Sequence, residues 1–179
     1  MPEQEYCNSS DIFGVRLVNH VDDAVLPVGV HDFADTIGRC MLIDKTMFIA
    51  DVLDCDASVV VCCRPEGFGK SMNLSMLKAF LELPAVGRAG RSFFADTQIW
   101  DADGGRYRDD YACYPVISLD FSGAAWRGAA VAGVVRDALS GECARLLPLL
   151  EAPDLPRDKM RHIERVARGV ASEDEIASV

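Results

Sequence analysis

RPEGFGKS, residues 64–71, follows directly on the apolar run SVVVCC at 58–63 and opens onto KSMNLSMLKAFLEL at 70–83. The run at 58–63 is rich in β-branched residues and does not alternate, the pattern of a strand buried on both faces inside a parallel sheet. From Lys70 onward, Met72, Leu74, Met76, Leu77, Phe80 and Leu81 spread around much of a helical circumference before Pro84 stops it, which predicts a helix largely covered by protein. Strand, glycine-bearing loop and buried helix, in that order, are what a phosphate cradle requires. Gly67 and Gly69 give the backbone angles that turn several N–H groups inward and bring the chain close to a ligand. The helix then presents unpaired N–H groups and the positive end of its dipole to an anion. In such a loop Lys70 lies across the β- and γ-phosphates and Ser71 offers its hydroxyl to a magnesium ion. The strict spacing G-x-x-x-x-G-K-[ST] asks for glycine where Arg64 stands.

Composition narrows the ligand. The 179 residues, half of them hydrophobic and 26% charged, suffice for one core of ordinary size. A net charge of −10, from 28 acidic against 18 basic residues, opposes a broad grip on a nucleic-acid backbone or an anionic membrane. An anionic ligand must therefore be held locally, and no direct nucleic-acid partner is expected. No stretch approaches the roughly 18 uninterrupted apolar residues of a membrane span, and MPEQEYCNSSD is acidic and lacks the regions of a signal peptide, so the expected location is the cytoplasm. The seven cysteines, at 7, 40, 55, 62, 63, 113 and 143, show no C-x-x-C spacing and read as reduced thiols, neither a disulfide framework nor a zinc site.

Elsewhere the signals are coarser. Residues 1–24 lack a sustained period and read as an amino-terminal extension. DKTMFIADVLD, 44–54, places Phe48, Ile49, Val52 and Leu53 at helical spacing with Asp44 or Thr46 to cap the first turn. YPVISLDF, 114–121, is a second strand candidate, 124–150 a long helical stretch with a break allowed at Gly141, and 157–168 a polar helix. SEDE at 172–175 has the form of a capping box. DADGGR at 101–106 reads as a turn, since a calcium loop begun at Asp101 would need glutamate where Ala112 stands. Asp109 and Asp110 read as solvated carboxylates, and His20, His31 and His162 match no triad or ligand spacing. Arg127, Arg136 and Arg145 read as an exposed basic edge of the long helix.

RPEGFGKSMNLSMLKAFLE resembles the bacterial AAA-ATPase-like proteins, whose loop commonly reads RPRRFGKS and runs into LNLSMLKYFFE. The upstream LPVGVHDFADTIGRCMLIDKTMFIADVLD, and later FFADTQIWD and YPVISLDF, resemble that family's corresponding runs, so the likeness covers about residues 26–179. Arginine for the first glycine is itself a family trait. The resemblance implies an α/β fold with a P-loop NTPase three-layer core and a Walker A loop formed by Arg64, Pro65, Glu66, Gly67, Phe68, Gly69, Lys70 and Ser71, binding ATP with Mg2+. It also sets Phe33 and residues 44–46 beside the base, a position that core packing and helix capping explain equally well. Glu66 and Gly67 stand where the family has two basic residues, which exchanges a positive charge near the triphosphate for a carboxylate.

Hydrolysis needs a second, acidic strand. Asp120, at the end of YPVISLD, has the right surroundings on one side, but Phe121 and Ser122 follow it where an acidic neighbour is expected. Members of the family carry that strand, of the form LIDEYD, beyond a segment like SEDEIASV. The expectation is thus a partial domain, 25–179, that stops before the acidic strand, lacks complete catalytic machinery and leaves 58–63 with open edges. Two other readings stand beside it: a small P-loop phosphotransferase using Asp120, and a non-catalytic remnant or interaction module.

Overall fold

The computed structural model describes residues 10–12, 15–18, 25–27, 29–37, 39–84, 93–121, 131–149 and 157–172. The chain divides into two compact units, Met1–Glu82 with Ala89–Tyr114, and Leu83–Arg88 with Pro115–Val179. Together they combine helices with a little strand, which fits a partial α/β domain.

In the first unit the elements run β1 (Ser10–Ile12), β2 (Val15–Val18), α1 (Phe33–Thr36), β3 (Leu42–Ile43), α2 (Met47–Leu53), α3 (Lys70–Leu81), α4 (Gln98–Asp101) and a 3-10 stretch, Ala102–Asp110. The three strands form an antiparallel sheet in the order β1-β2-β3, with Ser10 opposite Leu17 and Leu17 opposite Ile43. Two of these strands come from the stretch set apart in the sequence as an extension.

The core of this unit forms where aromatic residues from α1, α3 and the 93–111 segment meet. Met76 and Phe80, one turn apart on α3, share a face and are buried. The Phe80 ring meets Phe94 edge-on at 5.0 Å and Tyr111 at 5.4 Å, while Phe94 stacks on Phe33 at 5.2 Å. At the far end of α2, Asp54 accepts a hydrogen bond from the Tyr107 hydroxyl at 2.6 Å and pairs with Arg106. That bond holds the Tyr107 phenol above its ordinary pKa. The DADGGR segment is the turn expected of it, with Asp103, Gly104 and Gly105 at φ 48°, 68° and 86°.

The second unit is built on α5 (Val131–Leu146), a short 3-10 turn (Leu147–Leu149) and α6 (Arg157–Ala167). Cys143 and Val166 are buried together, and the Ser140 hydroxyl donates to the Val166 carbonyl at 2.7 Å. Burial pushes the Cys143 thiol up, so it stays neutral. The helix continues through Gly141, where a break was allowed; buried Cys143 and Leu146 just beyond it offset the roughly 1 kcal/mol that a helical glycine costs. Arg145 is bound to Glu142 at 2.7 Å and to the Val116 carbonyl at 2.8 Å. Cys7, His20, Arg127 and most of SEDE lie outside the described residues.

Three sequence expectations are corrected. The run at 58–63 enters no ladder; Val59 and Val61 are 76% and 75% exposed. The run at 114–121 has a single parallel bridge, Tyr114 to Glu82, and is otherwise irregular and mostly exposed. An unbroken apolar run records a strand's need for neighbours on both edges without supplying them, and among the described residues neither run has them. For the same reason α3 is only partly covered: Leu74 is 59% exposed, although most of the helix is half-buried or buried. Among the described residues no helix is long and apolar enough to cross a membrane.

Candidate functional site

Residues 64–69 reach α3 through a loop in which Gly67 and Gly69 both take positive φ, 81° and 75°. A side chain in that conformation costs roughly 1–2 kcal/mol. Nothing lies within 4 Å of a Cβ built at either position, so the requirement for glycine comes from the backbone and not from crowding. Gly69 also occupies the N-cap position of α3, where no side chain caps the helix, and the first-turn N–H groups are left to solvent or to a ligand.

Lys70 folds back over the loop. Its ammonium donates to the carbonyls of Arg64 at 2.7 Å and Pro65 at 2.8 Å, which ties the two ends of the loop together. An ammonium has three N–H bonds, so one remains for an anion. Ser71 is exposed beside it. Glu66 is exposed and forms no ion pair among the described residues, and Phe68 is 61% exposed. Of the eight residues singled out from sequence, Arg64 to Gly69 form an open loop and Lys70 and Ser71 begin the helix behind it.

Beside the loop lies a cleft of about 370 Å³ that begins at Gly69. The α3 wall is Gly69, Met72, Asn73 and Met76, the i, i+3, i+4, i+7 stripe of one helical face. Phe33, Ile37, Leu42 and the 44–46 segment contribute to the rest. Helix α1 is fastened to α3 there: the Phe33 N–H donates to Ser75 Oγ at 2.9 Å, and the Ser75 hydroxyl donates to Asp32 at 3.0 Å.

Residues 44–46 line the cleft, but the capping expected for α2 is corrected: no side chain caps that helix, and Asp44 and Thr46 instead bind the N–H groups that open α4. Asp44 Oδ1 accepts from the Thr46 N–H at 2.8 Å and the Thr46 hydroxyl at 2.7 Å, while Oδ2 accepts from the Gln98 N–H at 2.8 Å. Thr46 Oγ1 accepts in turn from the Ile99 N–H at 3.1 Å. Asp44→Ala strips the Thr46 and Gln98 donors of their acceptor and is expected to lower unfolding stability by about 2 kcal/mol, measured by urea denaturation followed by tryptophan fluorescence.

Asp120 belongs to the second unit, in an exposed segment outside any ladder, so it does not stand at the end of a strand. Among the described residues no group of three or more His, Cys, Asp or Glu side chains is placed to hold a metal ion. Sequence reading missed Asn73 and the two methionines as cleft-lining residues. Their signal is the 69/72/73/76 spacing, of which the sequence reading takes only Met72 and Met76, as part of a covered helix.

The family model described as a predicted AAA-ATPase matches residues 27–146, a span that contains the loop, α3 and every cleft-lining residue but Leu26. No curated protein and no solved structure matches the chain.

Proposed function

The chain belongs to the AAA-ATPase-like family, and from that premise we propose that it binds a nucleoside triphosphate, ATP with magnesium, through residues 64–71. The observation that carries this reading is the Lys70 ammonium gathered onto the Arg64 and Pro65 carbonyls, between two left-handed glycines and an uncapped helix start. Backbone N–H groups around Gly67 and Gly69 hold the phosphates, Lys70 neutralises the terminal ones, and Ser71 ligates the magnesium. The adjoining apolar cleft, with Phe33 and residues 44–46 in its walls, takes the base. Magnesium supplies charge neutralisation between the outer phosphates when bound.

Calorimetric titration of the full chain with ATP and magnesium tests the reading, with tripolyphosphate as competitor. Saturable binding that tripolyphosphate displaces supports it; no saturation up to about 1 mM ATP sinks it. Glu66 gives a second handle. Its carboxylate sits in the loop where the resembling proteins carry a basic residue, so Glu66→Arg is expected to tighten ATP binding by about two- to fivefold, an effect that fades as salt is raised.

A further inference from the structure

Helix α3 and its N-cap Gly69 turn four residues to the cleft, and Gly69, Met72 and Met76 are what an apolar wall beside a phosphate loop requires. Asn73 is not. Its backbone N–H is committed to the Gly69 carbonyl at 2.9 Å, yet its half-buried side-chain amide makes no hydrogen bond among the described residues. Asparagine is a weak helix former, and this amide, partly open to solvent at the cleft, makes no bond to the protein that would offset the cost. Local stability does not explain its presence at this position.

The geometry points to Asn73 as the residue that selects the base of the bound nucleotide, an inference that rests on the triphosphate-binding reading above. A carboxamide offers one acceptor and one donor side by side, which matches the amino group and neighbouring ring nitrogen of adenine. Guanine's adjacent N–H donors call instead for a carboxylate. The carboxylate that lines this cleft, Asp44, already accepts three hydrogen bonds from Thr46 and Gln98. Met72 and Met76 then cover the face of the ring while Asn73 reads its edge.

The test is titration of the full chain with ATP, GTP and tripolyphosphate, followed by calorimetry. Wild type binds ATP more tightly than GTP. Asn73→Ala weakens ATP about tenfold, draws ATP and GTP level and leaves tripolyphosphate unchanged; alanine is the better helix former, so α3 persists. Asn73→Asp, of the same shape but able only to accept, favours GTP over ATP. An ATP-to-GTP ratio unchanged in both variants overturns the assignment while the phosphate reading stands. If tripolyphosphate fails to bind wild type, or binds Lys70→Ala equally well, the phosphate reading falls and the assignment of Asn73 falls with it.

Discussion

Lys70→Ala is expected to weaken ATP binding about 100-fold, the largest functional effect of any single substitution in this chain. Two losses combine. The cation that neutralises the outer phosphates disappears, and so do the hydrogen bonds at 2.7 and 2.8 Å that tie the Arg64 and Pro65 carbonyls to the helix start. The second loss frees the loop, so binding must then bear the entropy of ordering it. Lys70→Arg separates the two contributions. A guanidinium keeps the charge, but its planar fork cannot place donors on both carbonyls as a compact ammonium does, and a loss of about tenfold is expected. Titration of a fluorescent ATP analogue measures both, with far-UV circular dichroism to show that α3 is intact. An alanine variant whose affinity stays within about twofold of wild type removes the loop from any phosphate-binding role.

The loop could be read from sequence because its constraints are local. Glycines at 67 and 69, a lysine and a serine after them and a helix behind specify a backbone conformation within eight residues, and both glycines adopt the left-handed region that only they enter cheaply. Helices α2, α3 and α6 were legible for a related reason, since a 3.6-residue period survives whatever the helix packs against. The runs at 58–63 and 114–121 were misread because apolar content states that a segment should be buried, while the identity of its sheet neighbours is non-local information. The opposite error affected residues 10–18, whose mixed polar and apolar pattern hid two strands that pair with each other and with Leu42–Ile43. Asn73 was overlooked because a helical stripe was scored for burial alone. A polar residue inside that stripe carries more functional information than the apolar ones around it.

Phe80→Ala is expected to lower the unfolding free energy by about 3–5 kcal/mol, the largest stability effect. Its side chain is fully buried where Phe94 and Tyr111 meet it edge-on, so truncation leaves a cavity among rings too large and too constrained to collapse into it. The backbone at this point is a junction as well: the Phe80 carbonyl accepts from the Ala112 N–H at 2.8 Å, and the neighbouring Leu81 carbonyl accepts from the Tyr114 N–H at 2.8 Å. Loosening this end of α3 therefore releases the 111–114 segment from it. Since natural domains hold only about 5–15 kcal/mol in reserve, such a loss brings the unit close to unfolding at moderate temperature. The variant also separates structure from binding. Phe80 lies ten residues along α3 from Lys70 and does not line the cleft, so native molecules of the variant should bind ATP as wild type does. At 100 times the dissociation constant, ATP should then restore about 2.7 kcal/mol to both proteins alike. Urea midpoints with and without ATP measure this directly. A destabilisation below about 1 kcal/mol would remove Phe80 from the core, and a smaller ATP increment in the variant than in wild type would mean that the aromatic cluster shapes the nucleotide site and does not merely support it.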